Sequence, residues 1–382
     1  MQTNFFLLAL CWCFFGATLW QLFFWWGVFA RFAFYSKPKK RLQERQKNTL
    51  PPPFSVIICA RNEAVNLCRY LPHILAQQYD ADWELLLVDD ASTDDTPTVL
   101  RELQEKNPRL RVIRIDKKSF PGKKYALEQG INASKYAHIL LTDADCKPSS
   151  VFWLSQMAES LYRKPETEIV LGYAPMKTTA GALNRWARFE TAQTAIQYFS
   201  FAQAGMPYMG VGRNLAFKKI IFERVGGFSK HFDIPSGDDD LLVNAAATSA
   251  NTGICTDPAA FVFSENKSTW LQWLQQKRRH LGASSTYRPV HQLLLASLSL
   301  SLVLHYFLLF LLLLSGWNVH LLAIAYCLRM ITQLIVYRGC FYRLRCADLL
   351  KWIPVLDVML AIYYGIAVPY YLIISQKSVA WK

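Results

Sequence analysis

The hydrophobic positions of this 382-residue chain fall into two regimes. At the ends they run on without interruption, and in the middle they come as short apolar bursts between polar turns and amphipathic stretches. Phe5–Ala30 is a nearly uncharged run longer than the ~20 residues that cross a bilayer. Three more runs crowd the other end, at about Leu293–Leu314, Trp317–Tyr337 and Trp352–Ile374. These lengths predict one N-terminal and about three C-terminal transmembrane helices. The first run has no basic leader and no small-x-small cleavage site, so an uncleaved anchor is expected.

Between the spans the pattern changes to an alternation of strands and helices. Phe54–Ala60 has the continuous apolar character of a buried strand, and Asn62 is placed to cap a helix running towards Gln77. Glu84–Val88 predicts a second strand, and the Ser/Thr/Asp run from Asp89 to Thr96 starts another helix. Leu110–Ile115 is a third strand, Gly122–Ala133 opens a helix, and His138–Leu141 is a fourth strand. Such alternation implies an α/β domain with a mixed, mostly parallel sheet, whose ligands gather at the carboxyl ends of the strands. The expected organisation is an anchor (1–35), a basic, proline-ended linker (36–53), the α/β domain (54–285) and C-terminal transmembrane helices (286–382). Gly181–Ala202 suits an interfacial helix or a core helix equally, and Gly205–Gly210 suits a soft apolar loop.

A net charge of +14 could suggest nucleic acid, but the basic residues sit beside the apolar runs. Arg31, Lys37, Lys39, Lys40, Arg41, Arg45 and Lys47 follow the first span, and Arg338, Arg343, Arg345 and Lys351 precede the last. The positive-inside rule then puts the middle domain in the cytoplasm at the inner (plasma) membrane, with no nucleic-acid partner. The first cluster can also rest on anionic headgroups. Nine cysteines without a CxxC pair imply reduced, structural thiols.

Three polar groupings carry candidate chemistry. After the fourth strand, Asp143 and Asp145 occupy positions i and i+2, so an extended tip points both to one face. Crowded carboxylates suit a hard divalent ion, Mg2+ or Mn2+, although the pattern alone is also that of a solvated turn. Asp238-Asp239-Asp240 precedes a helix expected near Leu241, where a helix dipole favours acids and where an acceptor-side base could also stand. Gln276-x-x-Arg279 lies on a basic helix with Trp270, Leu271, Trp273 and Leu274 as its apolar side; Gln275-x-x-Arg278 is the competing register.

Taken in order, Val56–Glu63, Val88–Asp94, Gly122–Leu127, Thr142–Asp145, Gly212–Phe217, Gly226–Phe228, Gly237–Leu242 and Gln276–His280 resemble the membrane-bound branch of the family-two glycosyltransferases of GT-A fold. The resemblance covers about residues 54–285 and lies in the ordered set. It implies that Asp145 ligates the metal while Asp143 touches the ribose or the metal's water shell. It implies that Asp89 contacts uracil, with Asp90 capping a loop, and that Ala60, Arg61 and Glu63 line the base-and-ribose pocket. Lys123, or failing it Lys124, would be the basic residue beside the nucleotide. Asp239 would be the general base with Asp238 as its support and Asp240 as the alternative, and Gln276 and Arg279 would lie over the diphosphate. His280 stands where the family has tryptophan, which argues against polymer-type stacking and processivity.

The implied activity is inverting, metal-dependent transfer from a nucleotide-sugar donor, UDP-linked, to a lipid-linked or envelope glycan acceptor. An oligomer or an envelope-assembly partner is compatible with it. The competing readings are a processive polysaccharide synthase, a non-catalytic membrane scaffold and a nucleotidyltransferase. Within the spans Arg329 and Asp357 are expected to pair, since intramembrane charges seek one another, and His305 is expected to be a packed polar residue.

Overall fold

The computed structural model describes residues 2–36, 51–118, 120, 122–229, 232, 234 and 236–370, without the side chains of residues 2–4 and 280. It forms two compact units. One gathers the N-terminal residues up to Tyr35 with those from Arg288 onward, and the other holds Ser36–Tyr287. The basic linker residues Lys37–Lys47 and the end of the last apolar run lie outside the described residues.

The first unit is helical. Helix Gln2–Phe23 continues through a π-helical segment, Phe24–Phe29, into a last turn at Ala30–Ala33. Among the described residues four helical stretches are long and apolar enough to cross a membrane: Phe5–Ala33, Pro289–Leu314, Val319–Arg343 and Ala347–Tyr370. Phe5, Trp12, Leu293 and Ile324 are exposed on the outside, as lipid-facing side chains would be.

Polar residues lie inside this bundle. Arg329 Nη1 is 2.7 Å from Asp357 Oδ2, and both side chains are sealed from the surroundings. Asp357 also accepts from Tyr306 Oη at 2.6 Å and Gln333 Nε2 at 2.5 Å, while Arg329 Nη2 donates to Gln21 Oε1 at 3.2 Å. The expected pair therefore exists, and its partners come from all four stretches. A buried ion pair survives only when its remaining donors and acceptors are filled in this way. His305 is fully buried, with Nδ1 2.9 Å from Thr18 Oγ1 and its ring 5.1 Å from that of Phe14.

The second unit is built on a seven-stranded sheet of order β3-β2-β1-β4-β7-β6-β8. Its members are β1 (Phe54–Ala60), β2 (Trp83–Asp90), β3 (Leu110–Ile115), β4 (His138–Leu141), β6 (Ile169–Leu171), β7 (Leu215–Lys218) and β8 (Thr252–Ile254). β1 to β4 are parallel, β7 runs against both its neighbours, and β8 is parallel to β6. The mixed, mostly parallel sheet is the one expected. A separate two-stranded ribbon joins β5 (Cys146–Pro148) to β9 (Val262–Ser264).

Every residue of β1 and β2 is buried, which explains their uninterrupted apolar runs. Val56, Ile58, Leu85 and Leu87 pack with Leu67, Leu71, Leu100, Trp153 and Met157 from helices Ala64–Leu75, Thr96–Lys106 and Trp153–Tyr162. Ile57 and Val88 point the other way, against helix Lys123–Ala133. There a Cβ on Gly130 would come within 2.9 Å of both, so only glycine lets the helix approach so closely.

One local expectation is corrected and one left open is resolved. Asn62 does not cap the first helix: it takes a left-handed φ of 56°, and Glu63 occupies the N-cap position of Ala64–Leu75. Its carboxamide instead accepts from Thr93 N at 2.8 Å while its own N–H donates to Ser92 Oγ at 3.0 Å, lacing the loops after β1 and β2 together. The segment left open between interface and core is helix Ala182–Gln203, and Trp186, Phe189, Ile196, Tyr198, Phe199 and Phe201 are all buried, so it is a core helix.

Candidate active site

The parallel register sets the tips of β1, β2 and β4 side by side, and the residues just beyond them surround one cavity of about 550 Å3. That volume suits a small-molecule ligand of nucleotide-sugar size. Arg61 and Glu63 follow β1, Lys123 opens its helix, and Asp143 and Asp145 follow β4. Asp238, Asp239 and Asp240 open helix Asp240–Ala246, and helix Trp270–Ser284 contributes Gln275, Gln276 and Arg279. Nine of the eleven site residues expected from the sequence thus share one cavity, and Ala60 and Asp89 do not line it. Met176, Met209, Val211, Tyr173 and Tyr198 give it a less polar side, with Met209 from the expected apolar loop.

Lys123 ties two of the acid groups together. Its Nζ lies 2.5 Å from Asp143 Oδ1 and 3.5 Å from Asp238 Oδ2. Burial alone would lower its pKa, but the two carboxylates outweigh that and hold it well above the ordinary lysine value. Asp145 is pushed up by burial and by Asp143, while Arg213 and Lys267 pull it back down.

Ligand atoms of Asp143, Asp145 and Cys146 all lie within 4.8 Å of one another. Burial raises the Cys146 thiol well above its usual range, which disfavours the thiolate that a soft metal needs. What remains is a pair of carboxylates with room for further oxygens, a donor set that fits Mg2+ or Mn2+.

On the nucleotide side, Ala60 and Asp89 are fully buried at the ends of β1 and β2 and do not line the cavity. Asp89 Oδ1 accepts from Ser92 N at 3.1 Å, whereas Oδ2 is buried with no hydrogen-bond partner among the described residues. A buried carboxylate oxygen left over in this way is an acceptor for an incoming N–H. Asp90 does not cap a loop as expected. It forms an ion pair with Lys118 at 2.5 Å, because the strand continues through it and directs the side chain into the protein.

The three adjacent acids differ in their surroundings. Asp238 faces Lys123. Asp239 caps its helix, taking Asp240 N at 2.9 Å on Oδ1 and Gly212 N on Oδ2. Burial and Asp238 raise its pKa to about 6, against the opposing pull of the Gly212 N–H and Lys123. Asp240 accepts from Tyr287 Oη at 2.9 Å and is pushed well above the usual carboxylate range by burial and Asp239. Asp239 caps the helix, and its raised carboxyl stands near neutral pH.

In the Gln-x-x-Arg element both Gln276 and Arg279 line the cavity, as does Gln275, whereas Arg278 does not. This favours the Gln276/Arg279 register. The Arg279 backbone oxygen accepts from Ser236 Oγ at 2.5 Å, joining the helix to the acid loop, and burial lowers the guanidinium pKa. The side chain of His280 lies outside the described residues. Sequence reasoning missed Arg213, Lys267 and Tyr287. Arg213 lay inside the Gly212–Phe217 stretch, but nothing local gave it a task; the other two reach the site by tertiary packing alone.

Residues 55–225 match the family model described as glycosyl transferase family 2. The chain is 26% identical over 273 residues to the probable glycosyltransferase YdaM of Bacillus subtilis (strain 168), covering 68% of this chain and 61% of that protein. It is 28% identical over 125 residues to a beta-monoglucosyldiacylglycerol synthase of Nostoc sp. (strain PCC 7120), 32% of this chain and 26% of the relative. It thus spans less than two thirds of the length of either. A mannosyltransferase, PcManGT from Pyrobaculum calidifontis, solved with GDP-Man and Mn2+, superposes with a TM-score of 0.56 at 19% identity, over 94% of this chain and 98% of that one. The strand order, the acid-lined cavity at the strand tips and these likenesses converge: residues 55–225 match glycosyl transferase family 2 on a GT-A-like fold, and among the described residues the chain also carries four helices apolar and long enough to cross a membrane.

Proposed function

We propose that this enzyme transfers a sugar, with inversion, from a nucleoside-diphosphate sugar to a lipid-linked or envelope glycan acceptor at the cytoplasmic face of the plasma membrane. The observation that carries this reading is Asp239, raised to about 6, on the same cavity as the Lys123–Asp143–Asp145 cluster. One end can neutralise a diphosphate and the other can take a proton from a hydroxyl.

Asp145 and Asp143 would hold the Mg2+ or Mn2+ ion, which when bound supplies positive charge to the diphosphate. Asp239 accepts the acceptor's proton, and Asp238 keeps Lys123 beside the phosphates. Arg279 and Gln276 lie over the diphosphate. Arg61 and Glu63 receive the base and ribose on the cavity wall, with Ala60 and Asp89 buried behind them at the strand tips; the unfilled Asp89 oxygen suits the imide N–H of uracil if the base reaches it, which favours a UDP-sugar. A base facing the leaving group across the sugar gives direct displacement, and inversion follows. The four apolar helices, the less polar wall at Met176, Met209 and Val211, and the likeness to a glycolipid synthase support a lipidic acceptor. The clustering of basic residues beside the spans supports the cytoplasmic orientation.

The test is full-length protein in lipid nanodiscs with radiolabelled UDP- and GDP-sugars, with Mn2+ or Mg2+ and with chelator, the products separated into lipid and polymer fractions. Metal-dependent label from a UDP-sugar in the lipid fraction is expected. Label in polymer would favour a processive synthase, and nucleotide binding without any transfer would favour a scaffold.

A further inference from the structure

Arg213 lines the cavity yet forms no ion pair among the described residues. Its Nη1 donates to Ser264 Oγ and approaches Met176 Sδ at 4.0 Å, while neither Nε nor Nη2 has a protein acceptor. Its backbone is pinned on both sides. The preceding Gly212 N–H is bound to Asp239, and the following Asn214 side chain accepts from Trp153 Nε1 at 2.9 Å and donates to Tyr173 O at 2.9 Å and Ala260 O at 2.8 Å.

The anchor of the guanidinium leads to the candidate metal position. Ser264 pairs across the β5–β9 ribbon with Cys146, Oγ to Sγ at 3.6 Å, and Cys146 Sγ is 3.5 Å from Asp145 Oδ1. Arg213 is thus linked through Ser264 and Cys146 to Asp145 and through the neighbouring Gly212 N–H to Asp239, the two ends of the proposed reaction. A fixed guanidinium beside a bound cation is repelled unless an anion lies between them, and a planar fork with unused N–H groups matches phosphate oxygens.

We propose that Arg213 binds the diphosphate of the donor and takes up the charge that develops on it as the sugar leaves. This rests on the glycosyl-transfer reading above and adds a residue to it. In the step concerned, the bond from the anomeric carbon to the phosphate oxygen breaks with its electron pair staying on that oxygen. The acceptor oxygen bonds to the anomeric carbon, and its proton passes to Asp239. The diphosphate gains one negative charge, which the guanidinium meets.

The experiment measures UDP, GDP and UMP binding by calorimetry with Mn2+, and kcat and KM, for full-length wild type, Arg213→Gln, Arg213→Lys and Ser264→Ala in nanodiscs. Arg213→Gln should weaken binding of the preferred diphosphate about tenfold or more while UMP affinity stays within about twofold. Its kcat should fall by about a hundredfold. Arg213→Lys should recover part of both, and Ser264→Ala, which keeps the charge but frees the guanidinium, should weaken diphosphate binding less than Arg213→Gln does. Equal losses for UDP and UMP would reveal a merely structural residue and overturn the inference, as would unchanged diphosphate affinity in Arg213→Gln. A wild type that binds neither diphosphate would overturn the glycosyl-transfer reading itself, and this inference with it.

Discussion

Replacing Asp239 by Asn tests the proposed base most directly, because its environment fixes both the size of the effect and its pH dependence. The carboxyl is lifted from 3.8 to about 6 by burial and by Asp238, while Lys123 and the N–H groups of Gly212 and Asp240 hold it down. A base must be ionised to work, so transfer should be lost as pH falls through about 6. At pH 5 a group of pKa 6 is about 10% ionised, whereas an ordinary aspartate would be over nine-tenths ionised. The acid limb of kcat/KM for the donor-saturated enzyme therefore separates the two cases by roughly tenfold at one pH. Asp239→Asn should lower kcat by ~10²–10⁴ and leave diphosphate binding within about twofold. Stability should move the opposite way. A carboxyl whose folded pKa is raised binds its proton more tightly in the folded state, so the cost to the fold builds from pH 3.8 to about 6 and is complete above that. The full shift corresponds to about 3 kcal/mol, less in practice because the site is only half-buried. The stability of Asp239→Asn relative to wild type should therefore improve as pH rises from about 4 to 7, from a baseline lowered because an amide can accept only one of the two N–H groups that Asp239 holds. Wild-type turnover in Asp239→Asn, or an acid limb centred near pH 4, would refute the assignment.

Two further outcomes follow from the same geometry. Asp145→Ala should weaken Mn2+ binding in the presence of UDP at least tenfold, measured by titration with the Mn2+ electron paramagnetic resonance signal; unchanged affinity would remove Asp145 from the metal site. Arg329→Met leaves Asp357 buried with a charge that Tyr306 and Gln333 can solvate but not neutralise, so the helical unit should lose ~3–5 kcal/mol, read as a lower unfolding midpoint in detergent. Adding Asp357→Leu should recover much of that loss, and a single variant as stable as wild type would show that the pair does not hold the bundle.

What the chain revealed in advance is what periodicity governs. Continuous apolar runs gave β1 and β2 because a parallel strand is buried on both faces, and the long uncharged runs gave the four membrane-type helices for the same reason of burial. The Arg329–Asp357 pair was legible because an intramembrane charge has few other partners. Asn62 misled because its composition suits a cap and a left-handed bridge equally, and the choice was made by Ser92 and Thr93 about thirty positions away. Asp90 misled because β2 runs two residues further than its apolar pattern, carrying an acid inward to Lys118. Arg213, Lys267 and Tyr287 were illegible as site residues because β7 and the β5–β9 ribbon, which the alternation does not announce, bring their surroundings to the cavity.

The acid run shows why chemistry cannot be assigned by residue type alone. Asp238, Asp239 and Asp240 are identical side chains in consecutive positions, so propensity and dipole treat them nearly alike. Their partners do not. An ammonium faces Asp238, backbone N–H groups of Gly212 and Asp240 hold Asp239, and a tyrosine hydroxyl donates to Asp240. A cation favours the charged form most strongly, two amides favour it less, and a single neutral donor in a buried place favours it least. Asp238 serves as a partner for Lys123, Asp239 is raised to about 6, and Asp240 is pushed well above the usual carboxylate range. Asp239 combines a pKa raised to about 6 by burial and Asp238 with a position on the cavity wall held by the N–H of Gly212, a residue of another strand's approach, which also limits that rise. The base would therefore be set as much by the turn that carries Arg213 as by the acid run itself, so Arg213 variants that disturb this turn should shift the acid limb of the pH profile as well as diphosphate binding, whereas those that only remove the guanidinium should leave it in place.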